Sequence, residues 1–218
     1  MSSKNLFILF VCIVWGSTLQ GQIESKNEFW ISSGFTSELL SVNATNVGSF
    51  KNRNRIGASI GIERRNYLNE KFNINCGIQV KSFRKSFVFN FNEVFIEDLQ
   101  LCIPVLFNYH LQFNKIHFGN FIMGLNGVVY RAGEASYSTL DYEVQIERRS
   151  GIFPNVVLGF GYKFKRNKSF EVNLLYNMGF FQRKVEYVKY IPSDSDVMLE
   201  NNGSFVEIEF KFRINKRS

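Results

Sequence analysis

Residues 204–214 read Ser-Phe-Val-Glu-Ile-Glu-Phe-Lys-Phe-Arg-Ile, and this stretch decides the fold. Successive side chains of an extended strand point to opposite faces. Val206, Ile208, Phe210, Phe212 and Ile214 therefore share one face, and Glu207, Glu209, Lys211 and Arg213 share the other. A helix would scatter both sets around its axis. The stretch is a strand with one bulky apolar side and one charged side.

The same period recurs backwards along the chain, so that eight strands are expected. They run over about 28–37, 54–65, 72–81, 95–111, 115–131, 153–165, 169–180 and 204–214. Ile56, Ala58, Ile60 and Ile62 oppose Arg55, Gly57, Ser59, Gly61 and Glu63 in the second. Phe170, Val172, Leu174, Tyr176 and Met178 oppose Glu171, Asn173 and Asn177 in the seventh. In the fifth strand the apolar parity shifts after Phe118, which predicts a bulge near Gly119. Short turns are expected at 66–71, 112–114 and 166–168, and long loops at 38–53, 84–94, 132–150 and 190–203. Short turns at one end and long loops at the other are the habit of exported barrels. The fold expected is all-β: an eight-stranded antiparallel up-and-down transmembrane β-barrel.

Alternation alone does not say which face points outward. Side-chain volume does. An eight-stranded barrel encloses room only for a filled core or one small ligand. The face rich in Phe, Ile, Leu and Tyr is too bulky for that space, while the face holding Gly57, Gly61, Gly77, Gly159, Gly161 and Gly179 suits it. The apolar face then meets lipid. The glycine-bearing face also carries a charge set expected to pair inside the lumen: Arg55, Lys81, Lys163, Lys211 and Arg213 with Glu63, Asp98, Glu171, Glu207 and Glu209. Aromatic girdles are expected at both ends, with Tyr109, Phe113, Phe118, Tyr162, Phe164, Phe170 and Phe212 by the short turns. Phe35, Phe87, Phe95, Phe180 and Tyr187 would form the other girdle by the loops.

Composition agrees with export. Lys4 followed by the apolar run Leu6–Trp15 and small Gly21 reads as a signal peptide over residues 1–21, leaving 22–218 as the barrel domain. Cys12 leaves with the signal. Cys76 and Cys102 fall on opposite faces and are expected as free thiols, Cys76 toward lipid and Cys102 in the lumen. No Cys or His pair has metal-ligand spacing, so no metal or cofactor is implied.

Leu101-Cys102-Ile103-Pro104-Val105-Leu106-Phe107-Asn108-Tyr109 resembles the Leu-x-Ile-Pro-apolar-run-Tyr signature of the PorT-like outer-membrane β-barrel family of Bacteroidota. The residues that carry the likeness are Leu101, Ile103, Pro104 and Tyr109. Cys102 and Asn108 depart from it, standing where an acid and a base are usual, so the likeness does not extend to that lumen pair. The resemblance implies an eight-stranded, OmpA-like barrel in a Gram-negative outer membrane and no single activity. PorT itself belongs to a protein secretion apparatus. Pro104 inside a strand donates no ladder bond, and a local bulge is expected there.

No nucleophile–base constellation is visible, and His110 and His117 both flank one short turn. The net charge of +7 is dispersed over the strands rather than gathered, so nucleic acid is not an expected partner. The function expected is that of a non-enzymatic integral outer-membrane barrel with a structural or binding role through its loops. The partners expected are outer-membrane lipid and a protein or glycan at the loop around 132–150, where strands five to seven would extend as a hairpin rim. A secretion accessory and a soluble lipocalin-type carrier are the alternatives.

Overall fold

The computed structural model describes residues 27–39, 41–44, 51–89, 92–113, 117–130, 133–138, 142–148, 150–164, 170–181, 184–190 and 195–214. The expected signal at 1–21 lies outside them. All regular structure among the described residues is β: β1 (Asn27–Glu38), β2 (Ser41–Ala44), β3 (Lys51–Arg55), β4 (Gly57–Tyr67), β5 (Phe72–Phe89), β6 (Asn92–Gln112) and β7 (His117–Tyr130). The chain continues through β8 (Gly133–Ser138), β9 (Tyr142–Arg148), β10 (Gly151–Phe164), β11 (Phe170–Gly179), β12 (Lys184–Tyr190), β13 (Ser195–Asn201) and β14 (Phe205–Arg213).

Eight of these close a barrel in the order β1-β4-β5-β6-β7-β10-β11-β14, with β14 pairing back onto β1 from Trp30↔Arg213 to Glu38↔Phe205. Every neighbouring pair is antiparallel, and closure leaves no edge in this wall. The facing is as volume requires. Ile60, Ile62, Leu99, Phe160, Leu174 and Ile208 stand exposed on the outside, Leu99 at 70%. Glu63, Lys81, Asp98, Glu171, Glu207, Glu209 and Lys211 are buried inside. A soluble carrier barrel has the opposite arrangement.

The expected loops are largely strand. β5 and β6 run as one hairpin up to Phe89↔Asn92, where a long loop over 84–94 was expected. Beyond the belt the wall continues as a second sheet, in the order β2-β13-β12-β9-β8. That order repeats β1-β14-β11-β10-β7 below it, so five barrel strands re-form above themselves. β8 and β9 keep the register of β7 and β10, passing from Tyr130↔Gly151 to Gly133↔Arg148. The hairpin rim expected from strands five to seven is there, and it is wider than expected because β13 and β2 join it.

Neither expected bulge is present. β7 pairs with β6 and β10 without a slip through Gly119, at Leu111↔Gly119 and Gly119↔Tyr162. Phe118 therefore takes the inward parity of Asn120 and Ile122 instead of joining the girdle, and the Phe113 ring packs beside Gly119 in its place. At Pro104 the register is the same on both sides, Cys76↔Val105 and Gln79↔Cys102, with two pairings missing between them. The ladder to β7 is unbroken there. The missing N–H interrupts one ladder without displacing a residue. Of the expected girdle, Phe113, Phe212, Phe35 and Phe180 are exposed on the outer face. The side chains of Phe87, Phe95, Phe164 and Tyr187 lie outside those described.

Among the described residues the one register shift falls at Ile56. Arg55↔Arg84 ends the β3 ladder and Ser59↔Lys81 opens that of β4, so three residues face two. The Ala58 N–H donates to Ser82 Oγ at 3.0 Å and the Thr36 hydroxyl donates to the Ser82 carbonyl at 2.7 Å. These bonds occupy groups that the interrupted ladder would leave unpaired. Gly57 is obligatory here, since a Cβ would lie 1.9 Å from the Ser82 carbonyl oxygen. Gly57→Ala should destabilise the folded barrel by about 1–3 kcal/mol, the usual cost of overpacking. Gly127→Ala, whose Cβ would meet the movable Ile152 methyl at 3.2 Å and no backbone atom closer than the Ile103 carbonyl oxygen at 3.7 Å, should cost less. Urea midpoints in vesicles measure both, and equal midpoints would show that the bulge can relax.

Candidate functional site: the lumen network

The lumen is polar along β1, β4, β5 and β14 and apolar along parts of β6, β7, β10 and β11. The polar half begins near the short turns. Arg213 donates to Glu28 Oε1 at 2.9 Å, while the Trp30 indole N–H and the Tyr67 hydroxyl donate to Oε2 of the same carboxylate at 3.1 and 2.9 Å. Arg65 donates from two nitrogens to Glu171, at 3.0 and 3.3 Å, and its Nε donates to Asn75 Oδ1. Its guanidinium also lies 4.3 Å from the centre of the Trp30 ring, whose other cation neighbour is Lys163 at 5.0 Å. His110 bridges Asn73 and Asn120 and stacks on Tyr67, its ring thus fixed at three points.

Next up the barrel, Lys211 lies between Glu63 at 2.7 Å and Glu209 at 3.1 Å. Gln79 donates to both carboxylates, at 3.0 and 2.8 Å, and Asn173 adds a bond to Glu209. Above them Lys81 pairs with Glu207, which also accepts from Ser59 Oγ at 2.7 Å. The Lys81 ammonium also lies 4.9 Å over the Phe205 ring, itself packed edge-on against Phe83. Asp98, buried higher on β6, accepts from Gln100.

These bonds are physically necessary. A carboxylate taken from water into a lumen this tight costs several kcal/mol unless an opposite charge and further donors surround it. Glutamates 63, 171, 207 and 209 each have a cation and at least one further donor nitrogen or hydroxyl from the ion pairs and amides named above. The apolar parts of the other half, which also buries amides such as Asn126 donating to Asn177 Oδ1 at 3.0 Å, need no such compensation. Leu106, Ile122, Val157 and Leu175 form one buried cluster, and Cys102 and Val128 form another with Phe153 against it.

Nine of the ten charges expected in the lumen thus lie inside the barrel on β5, β6, β10, β11, β14 and the single β4 glutamate. The side chain of the tenth, Arg55, lies outside those described; its backbone pairs with that of Arg84, beyond the register shift at Ile56. Arg65 is the cation that faces Glu171 instead. The sequence reading missed Arg65, Glu28 and Trp30, although all three follow from parity: Arg65 is two residues beyond Glu63, and Glu28 and Trp30 alternate with Phe29 and Ile31. Trp30 is a bulky aromatic on the face expected to hold small and polar side chains. Of the motif residues, Leu101 is exposed outside, Pro104 lines the lumen, and Tyr109 packs against Phe72 with ring centres 4.8 Å apart. Neither Cys76 nor Cys102 is in a disulfide, and Cys102 is fully buried. Among the described residues no His, Cys, Asp and Glu cluster could hold a metal ion.

A void of about 10 Å³ lies between Gln79, Lys81, Pro104, Leu106, Asn126 and Asn177. That is the space of a single water, with no resemblance to an aqueous channel. Purified protein in planar bilayers should therefore show no stable unitary currents. Discrete, reproducible openings would contradict a lumen closed by these side chains.

No protein-family model matches the chain. No curated protein matches it either. Among solved structures it is similar to the outer-membrane protein OprG of Pseudomonas aeruginosa, at 11% identity and a TM-score of 0.50, over 88% of this chain and 98% of that one. It is also similar to Ail of Yersinia pestis in a phospholipid bilayer nanodisc (12% identity, TM-score 0.38, 86% of this chain and 99% of that one). A third is outer-membrane protein W of E. coli (10%, 0.35, 88% and 100%). The likeness to OprG, together with the closed wall and its outward apolar belt, gives the fold: an eight-stranded outer-membrane β-barrel.

Proposed function

We propose that this protein is a non-enzymatic integral barrel of a Gram-negative outer membrane, exported through a cleaved signal at 1–21, which binds a partner at its extracellular extension. One observation carries this. The described lumen is occupied by paired charges and an apolar plug, whereas the wall above the belt continues as the sheet β2-β13-β12-β9-β8. A filled lumen leaves nothing to transport, and a belt committed to lipid leaves nothing to recognise. Recognition then falls to the extension, in keeping with the concentration of binding groups on loops above rigid scaffolds. The partner proposed is a protein or a surface glycan, held by the β8–β9 hairpin and the β12 strand beside it.

The test replaces residues 134–147 with a short Gly-Ser turn. The product should still fold, because no barrel strand is touched, and should still shift mobility on heating in gels. It should lose the complex that the intact protein brings down from mild detergent. A shortened barrel that supports every phenotype of the intact one would move the binding role to the short-turn end. The Leu101, Ile103, Pro104 and Tyr109 resemblance favours a second reading, an accessory of a protein secretion apparatus. Export components in the same pull-down would select it.

A further inference from the structure

Among the described side chains that face outward from the barrel wall, one charge stands alone. Arg64 on β4 keeps the parity of Ile60 and Ile62, while Glu63 and Arg65 on either side of it are buried in the lumen. Between the exposed Arg84–Glu97 pair at the loop end and the turn at 68–71, the outer face holds no second charged side chain among those described. Across the ladders Arg64 meets Phe29 of β1 and Cys76 of β5, so no carboxylate stands beside it. Its Nε is buried without a hydrogen-bond partner, and the side chain as a whole is only partly covered. The next outward position on β4 is Asn66, which pairs with Asn27 of β1. A pair of amides thus lies beside the guanidinium on the side of the short turn.

Depth gives this charge its meaning. Ile60 occupies the middle of β4, and Arg64 follows it by four residues. At about 3.3 Å per residue and a strand tilt of about 40°, Arg64 lies about 10 Å from the midplane on the short-turn side. An apolar belt about 25 Å tall ends about 12 Å from its midplane, so Arg64 stands just inside the hydrocarbon edge. The cost of an arginine on the lipid face falls steeply from midplane to interface, because its long stem lies along apolar surface while the charged head reaches polar groups. Arg64 has that reach, past Asn66. The headgroup zone then offers the anion that its neighbours in the wall do not.

We infer that Arg64, with Asn66 beside it, binds the phosphate of a glycerophospholipid in the periplasmic leaflet. The inference rests on the outer-membrane reading above, in which the short turns face the periplasm. A guanidinium fork matches two phosphate oxygens at once, and such charge-assisted bonds are about twice as strong as neutral ones. With no acceptor at Nε and no carboxylate alongside, nothing in the wall competes with the lipid for this side chain. The Asn66 amide adds a neutral donor one outward position nearer the headgroups.

The test compares the full mature chain in two bilayers without net charge, phosphatidylcholine and digalactosyl diacylglycerol, of which only the first carries phosphate. Arg64→Ile should raise the urea midpoint in galactolipid vesicles, where the cation has no phosphate to meet, and give no gain in phosphatidylcholine. An equal shift in the two lipids would mean that Arg64 acts only within the wall, and the inference would fall. In nanodiscs mixing both lipids, those retained through detergent exchange are counted by native mass spectrometry. The wild type should retain phosphatidylcholine preferentially. Arg64→Gln should lose roughly tenfold in that preference, the usual worth of one hydrogen bond to a charged group. Arg64→Lys, which keeps the charge without the fork, should lose only part of it. Retention by Arg64→Gln equal to wild type would overturn the inference. Inorganic phosphate that abolishes the preference would assign the guanidinium to a soluble anion and overturn it too. A wild type that inserts into neither bilayer would overturn the barrel reading as well, whereas an inserted barrel indifferent to phosphate strikes this site alone.

Discussion

Lys211→Met should be among the most destabilising single changes in this protein. Lys211 is fully buried, with Glu63 Oε2 at 2.7 Å and Glu209 Oε2 at 3.1 Å. Methionine fills most of the same volume, so the loss is electrical rather than steric. Two buried carboxylates would then face each other with Gln79 as their shared donor. Removing one partner of a buried ion pair costs about 3–5 kcal/mol, mostly because the remaining charge is stranded. The urea midpoint for unfolding from vesicles should fall accordingly. Lys211→Met/Glu63→Gln/Glu209→Gln, which strands no charge, should recover most of the loss. A single variant within about 1 kcal/mol of wild type would mean that water reaches this triad, and the picture of a dry lumen would fail.

Ile60→Arg tests the outer face. Ile60 sits in the middle of β4, paired with Ser33 and Val80, and is 63% exposed on the belt. An arginine on the lipid face of such a barrel costs about 2–4 kcal/mol near the midplane and about 0–1 kcal/mol near the interface. Leu68→Arg in the short turn after β4 is the matched control, since Leu68 is equally apolar but lies at the barrel end. Folding yield into phosphatidylcholine vesicles should drop for the first and hardly for the second. Equal yields would sink the assignment of this face to lipid.

Both experiments depend on features that differ in how they are encoded. The facing of each strand was legible from the chain alone. Residues 204–214 and 170–178 alternate so strictly that no partner strand is needed to sort them, because the two-residue period is a local property of extended backbone. Volume then decided inside from outside, since an eight-stranded lumen admits glycines, serines and short amides but not a row of phenylalanines. Most of the lumen charges followed from the same parity.

Register is a different kind of information. It is set by contacts between strands far apart in sequence, and one inserted residue flips everything beyond it. Lys51-Asn-Arg-Asn-Arg-Ile-Gly-Ala-Ser59 alternates smoothly across the bulge, so nothing in the string marks Ile56 as the extra residue. Only the pairing with β5, which offers two positions against three, reveals it. Conversely, Gly119 and Pro104 look like interruptions and are absorbed without a slip, because neighbours on both sides hold β7 and β6 in register. The sequence by itself determined strand number, facing and the outward belt. The tertiary structure alone decided which charge meets which, how far the wall rises above the belt, and where the register shifts, because each depends on cross-strand distances that a one-dimensional pattern does not contain.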